Sequence, residues 1–238
     1  MSAYFSDSAS VAPGCHFGEN AVIEDDVVMG MGCELGHNVV VHRGTRLGEG
    51  VKVASNAVLG KPPSASATSR RGVDEVGVLV VGAGTIIGAS VVINSGAEFA
   101  KNCYIGDLAA VREKCVVAEG VIIGRMVVLE SNIKIGARAR IQTGAYITGE
   151  TVIEEDVFVG PYVVTTNDRY MSMWTSKTYA GPIIKRRAAV GAGANLLSGI
   201  TIGEAAVVGM GAVVVTDVPP KRVFLGVPAR DAGEARIG

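Results

Sequence analysis

The chain is poor in aromatic residues, poor in histidine and nearly without net charge. Phe, Trp and Tyr make up 5% of its 238 residues, and 22 Lys and Arg stand against 23 Asp and Glu, a formal charge of -1. Such a balance offers no basic field for nucleic acid and no polybasic patch for a membrane surface. No uninterrupted apolar run is long enough to span a bilayer. The opening stretch, MSAYFSDSAS, lacks a basic region and an apolar run. No signal peptide is expected, and the expected location is the cytoplasm.

The histidines are His16, His37 and His42, all early in the chain, and they read as surface residues on turns. Histidine is the usual general base near neutral pH. A reaction lodged in the later part of the chain must manage without it. That disfavours acylation of a hydroxyl and suits acylation of an amine, which is nucleophilic once neutral. The four cysteines, Cys15, Cys33, Cys103 and Cys115, show no zinc-like spacing, and no metal site is expected.

What the sequence does have is a period of six. From Val81 the sixes run through Ile87, Ile93, Phe99, Ile105 and onward to Thr165, and fourteen of the fifteen positions are large and apolar. The same step joins Val11, Phe17, Ile23, Met29, Leu35, Val41, Leu47, Val53 and Leu59. Glycine often follows the apolar anchor, as at Gly18, Gly88 and Gly160, and small or β-branched residues stand four after it. All four cysteines occupy that last position, which makes them small core residues. A fixed short period marks a repeat architecture. The reading is an all-β parallel β-helix in which each hexapeptide is one side of a triangular coil and three sides make a turn. Glycine at the corners is expected to serve tight turns with positive φ. A narrow prism takes aliphatics and few aromatics, which fits the composition.

A solenoid grows by adding coils, so a single domain over 1–238 is expected, with coils at about 11–216 and a tail at 217–238. Residues 1–10 read as a cap. Two stretches break the register. From Leu59 to Val81 is twenty-two residues, and the Pro- and Ser-rich segment between them loops out at about 60–80. A second excursion, at about 166–189, holds the single Trp. The coil is expected to end at TDVPP, where two prolines stop pairing.

Residues eighteen apart should lie above one another. Asn132, Glu150 and Asp168 form such a column, with Asn167 beside the last, climbing to the root of the second loop. Carboxylates and amides at a loop root suit a polar substrate, and they suit equally a solvated ladder on an outer face. The basic residues fall in two groups: Lys61, Arg70 and Arg71, then Lys185, Arg186, Arg187, Lys221, Arg222 and Arg230. Each group has the chemistry to hold a phosphorylated ligand.

The hexapeptide run closed by LGVPAR resembles the acyl-CoA-dependent acyltransferases of the left-handed β-helix superfamily. LGKPP, IGDLAAVRE, VVTTNDRY and GAGANLLSGITIG narrow the likeness to bacterial nucleotide-sugar N-acetyltransferases, of the type acting on dTDP-linked 3-amino-3,6-dideoxyhexoses. The resemblance covers nearly the whole chain. It supplies the left hand of the coil, which periodicity does not show. It also implies a homotrimer with parallel axes, acetyl-CoA as cosubstrate in a groove beside the last coils, and an active site between subunits.

By resemblance, Asn167 and Asp168 contact the sugar and Glu150 orients the amine or a hydroxyl. Asp107, Arg112 and Glu113 match a family stretch, and Arg70 and Arg71 meet the nucleotide or its diphosphate. Amides around Gly191, Ala192 and Gly209 receive the pantetheine, and Lys221, Arg222 and Arg230 the CoA phosphates. Gln142 stands where relatives carry an acid; if that residue selects the sugar, the substrate differs here. The competing readings are an acyltransferase for another amine or a hydroxyl, and a non-catalytic solenoid scaffold.

Overall fold

The computed structural model describes residues 3–65, 72, 75–171 and 179–235. Short strands alternate with two-residue turns along the chain, and every third strand joins the same sheet. Three sheets result, parallel except for the last strand of face C: face A with eleven strands, face B with ten and face C with twelve. The expected triangular coil is present.

Packing explains the period. Each side sends its anchor and the residue four beyond it inward, where they are buried along the whole prism, from Ile23 and Val27 to Val208 and Ala212. The residue before each anchor faces outward. Cys33, Cys103 and Cys115 are buried in this column of side chains, while Cys15 is half-buried near the open end. Desolvation pushes the Cys33 thiol up to about 11 and that of Cys115 up to about 12.

The glycine after the anchor has a different cause from the one expected. Positive φ falls two residues later, and there the expected corner glycines are found, as at Gly14, Gly32 and Gly84, alternating with asparagines such as Asn20, Asn38 and Asn132. The glycine itself is needed because the next coil lies against it: a Cβ on Gly160 would stand 2.7 Å from the Ala192 nitrogen. Close approach of backbones excludes a side chain there, and turn geometry does not.

The coil is longer than the sequence reading at three places. Tyr4–Phe5 is a full side of face A, paired with Val22–Ile23, rather than part of a cap. After the second insertion the coil resumes at Ile183–Ile184, one side before Val190, paired with Val152–Ile153. The prolines do not end it either. Val218 bridges Ile202, and Arg222–Leu225 pairs in parallel with Val207–Val208 before turning back in a hairpin with Arg230–Glu234. Pro219 and Pro220 lie at an exposed corner, where no ladder donor is required.

Both insertions leave from the same edge. The first departs after Val58–Lys61 on face A and returns to Val80–Val81 on face B, which sits between Leu47 and Phe99. The second departs after Val164–Thr165, again on face A, and returns to face B. The departure of the second is prepared by the one polar anchor. Thr165 is buried, and its hydroxyl accepts from the Thr148 amide at 2.8 Å. In regular coils the equivalent amide bonds the carbonyl of the next anchor, as Glu130 does to Ile147.

Candidate functional site

The edge between faces A and B carries one connected group of polar side chains. Asn94, Arg112 and Glu130 follow successive face-A anchors, one coil apart. Glu113 stands beside them with its side chain only 12% exposed. Arg112 holds it through Nη2 to Oε1 at 2.8 Å and Nε to Oε2 at 3.3 Å. The Asn94 amide donates to Oε2 at 3.0 Å. Arg112 Nη1 reaches up to Glu130 Oε2 at 3.1 Å. Burial opposes ionisation of Glu113, yet its own amide, Asn94 and Arg112 together hold the carboxyl below the usual range. Burial also works against the Arg112 cation, and Glu113 and Glu130 outweigh it. Tyr146, one coil above Glu130 and hydrogen-bonded to it, has its hydroxyl pushed up by burial and then by that carboxylate.

Further up the same edge Asn132 donates to the Glu150 carboxylate, so the lower part of the expected column is real. Asn167 accepts from the Ala180 amide at 2.9 Å through its carbonyl, which closes the root of the second insertion. Asp168 Oδ1 accepts from the Tyr170 amide at 3.0 Å within the outgoing arm. Arg112, Glu113, Asn132, Glu150, Asn167 and Asp168 thus share one edge.

The remaining expected residues do not join them. Asp107 and Gln142 follow face-C anchors and stand on the edge between faces C and A. Asp107 is committed to its own scaffold, accepting from the Ala89 amide at 2.8 Å. Gly191, Ala192 and Gly209 lie on that second edge too. The Gly191 amide bonds Val208 and the Gly209 amide bonds Phe224, at 2.8 and 2.9 Å, so both are consumed by the coil ladder rather than open to a pantetheine arm. Of the expected basic clusters, Arg70 and Arg71 lie outside the described residues, as does Trp174 of the second excursion. Lys185 pairs with Glu154 at 2.9 Å and Arg186 with Glu204 at 3.0 Å, on the edge between faces B and C. Arg222 is neutralised by Asp231 at 2.6 Å. Lys221 and Arg230 are exposed.

Asn94, Glu130 and Tyr146 escaped the sequence reading. The arithmetic that found the 132–150–168 column also relates 94, 112 and 130, and it relates Glu24 to His42. Those two form a pair, Nδ1 to Oε1 at 3.0 Å, on the A–B edge. The histidines are not one class of turn residue: His16 is in a face-C strand, and His37 Nδ1 accepts from the Glu19 amide.

Among the described residues no group of three or more His, Cys, Asp and Glu is placed to hold a metal ion. Among the same residues no helix is long and apolar enough to cross a membrane.

Comparison with known proteins bears on the repeat. The family described as bacterial transferase hexapeptide (six repeats) matches residues 26–61. The hexapeptide repeat of succinyl-transferase matches residues 183–216. Serine acetyltransferase of Mycobacterium tuberculosis is 44% identical over 55 residues, which is 23% of this chain and 24% of that protein. The chain therefore spans about a quarter of that relative's length. Among solved structures, UDP-N-acetylglucosamine acyltransferase of Arabidopsis superimposes with a TM-score of 0.52 at 20% identity, over 98% of this chain and 73% of the other. GDP-perosamine N-acetyltransferase of Caulobacter crescentus, in complex with CoA and GDP-perosamine, gives a TM-score of 0.43 at 27% identity over 60% and 57%. By repeat and by coil, the chain is a β-solenoid protein carrying the hexapeptide repeat of bacterial transferases.

Proposed function

We propose that the chain is an acetyl-CoA-dependent acetyltransferase for the amine of a nucleotide-linked amino sugar, of the dTDP-3-amino-3,6-dideoxyhexose kind. The observation that carries the reading is the A–B edge. Two insertions depart from it, and between their roots stand Arg112–Glu113, Asn132–Glu150, Asn167 and Asp168. Carboxylates and amides of this kind bind hydroxyls and hold an amine in place. No histidine occurs after His42, and a neutral amine needs none. Its nitrogen attacks the thioester carbonyl, the C–N bond forms, the C–S bond breaks, and the departing thiolate takes the amine proton. Positioning supplies most of the rate in such a scheme, and dipoles at the edge steady the developing charge.

The two separated edges suit a homotrimer. In a threefold arrangement of parallel prisms, the C–A edge of one subunit lies beside the A–B edge of the next. Exposed Leu108, Met126, Tyr162 and Met210 on the C–A edge, with Ile86 and Tyr104 on face C, provide the apolar surface for that contact.

A thiol-release assay with acetyl-CoA and a panel of dTDP- and UDP-linked sugars tests the proposal. Turnover confined to amino sugars is expected, and turnover with none of them sinks it. The local match to serine acetyltransferase favours a second reading, transfer to a hydroxyl. Serine and a hydroxyl-only dTDP sugar in the same panel decide between the two.

A further inference from the structure

The A–B edge carries a second built feature, three to four coils below the Glu113 cluster. Glu24 and His42 follow successive face-A anchors. The next place in that column is Gly60, where the sheet bulges between Leu59 and Lys61. A Cβ on Gly60 would collide with the Thr45 hydroxyl and come within 3.5 Å of the His42 Cβ. The ladder of side chains is therefore interrupted above His42, and a cleft of about 450 Å³ opens there.

Both arms of the first insertion wall this cleft: Pro62 on the way out, Val76 and Val78 on the way back. The returning arm lies flat on the edge because two corner positions lack side chains. A Cβ on Gly44 would stand 2.7 Å from Val78 Cγ1, and one on Gly96 would stand 2.8 Å from Val76 Cβ. Three glycines, at 44, 60 and 96, thus make the floor and seat the wall.

The polar groups in the cleft are arranged so that two capacities remain open. Glu24 Oε1 accepts from His42 Nδ1 at 3.0 Å, and Oε2 accepts from the Arg43 amide at 3.0 Å. In the neutral imidazole the carboxylate favours the tautomer with its proton on Nδ1, and in that tautomer Nε2 is an acceptor. The His42 side chain is 24% exposed. Arg43 is spent on Asp26, through Nε and Nη2 to Oδ2 at 3.1 and 2.9 Å. Arg46 also lines the cleft, and the two carboxylates that line it with Arg46, Glu24 and Asp26, are paired with His42 and Arg43. It rises from face B between Val28 and Val80. One acceptor for a hydroxyl and one cation for an anion thus share an apolar-walled recess.

We propose that this cleft is a binding site for a phosphorylated sugar, the phosphate on Arg46 and a hydroxyl donating to His42 Nε2. The site is separate from the acyl-transfer cluster and stands whether or not that reaction is confirmed. Glu24 is a positioning residue: it favours one tautomer and one orientation of the imidazole.

The test uses the full chain and the ring signals of its three histidines in NMR titrations with glucose 1-phosphate, glucose and inorganic phosphate. Glucose 1-phosphate is expected to move the His42 signal saturably and to leave His16 in place. Arg46→Ala should weaken glucose 1-phosphate about tenfold or more, the loss of a charge-assisted hydrogen bond. His42→Ala, followed by calorimetry, should weaken the sugar phosphate and leave inorganic phosphate unchanged. Glu24→Gln should weaken the sugar phosphate less than His42→Ala does. Arg46 is exposed, so an unchanged melting temperature in Arg46→Ala separates lost binding from lost folding. A His42 signal that stays still overturns the proposal. So does equal affinity for inorganic phosphate and glucose 1-phosphate, or an Arg46→Ala protein that binds as the natural chain does.

Discussion

Arg112 and Glu130 stand one coil apart on the A–B edge, joined Nη1 to Oε2 at 3.1 Å, and the same guanidinium clamps Glu113 from the side. One cation thus serves two carboxylates, the nearer of them mostly withdrawn from water. Removing the cation leaves that carboxylate poorly solvated and unpaired. Arg112→Ala is expected to cost about 1–3 kcal/mol in urea unfolding, and Arg112→Lys to recover part of it. No loss in Arg112→Ala would mean that water already satisfies Glu113.

The same carboxyl predicts how stability varies with pH. Its folded value lies below its ordinary 4.5. The folded state therefore binds its proton less readily than the unfolded chain, and the contribution is fully present above the unfolded value. It is lost as pH falls below 4.5 through the lower folded value. Glu113→Gln should flatten the unfolding free energy in that acid range relative to the natural chain. An identical acid profile for the two proteins would remove Glu113 from the account.

Thr165 offers a test of the second insertion's root. Thr165→Val keeps the shape and makes the anchor apolar like its fellows, but leaves the buried Thr148 amide without its 2.8 Å acceptor. A net loss of about 1–3 kcal/mol is expected, since an orphaned buried donor outweighs the gain from one apolar group. A more stable Thr165→Val protein would show that the amide finds another acceptor.

For catalysis, the Asn132–Glu150 pair should matter more than its effect on folding. Glu150→Gln and Asn167→Ala are each expected to lower turnover about a hundredfold, the scale of one lost electrostatic contact. Their melting curves should stay close to that of the natural chain. Full activity in both variants would favour a scaffold, or an acceptor site on another part of the surface.

The cysteines give a prediction about access. Cys33 and Cys115 are buried with thiols raised to about 11 and about 12, and Cys103 is also raised, by burial first. In the folded protein at pH 8 a disulfide reagent should modify Cys15 alone, and all four after denaturation. Rapid labelling of Cys115 in the native state would contradict its place in the core. The reason is that the thiolate is the reacting form.

Much of the fold was legible because each hexapeptide repeats one local demand. An inward anchor, a small inward partner and an outward residue recur six apart, so the core, the cysteines and the eighteen-residue columns follow from counting. Counting found Asn132 above which Glu150 stands, and the same count holds Asn94–Arg112–Glu130 and Glu24–His42. Counting stops at the insertions, because a loop of unknown return point erases the phase. The return at Ile183 was hidden inside the second excursion for that reason. The glycine after many anchors was visible in sequence; the backbone of the next coil that lies against it was not.

What the sequence determined by itself is the coil, its three faces and the register within each uninterrupted run, since these depend only on which residues can point into a narrow apolar prism. The tertiary structure alone decided which edge each polar residue shares and which charges remain available. It set both insertions on the A–B edge, put Asp107 and the late glycines on another, spent Arg222 on Asp231, and placed Arg46 in one cleft with His42. The physical reason is that pairing and exposure belong to neighbours brought together across coils, and a residue's type does not say which neighbour will reach it first.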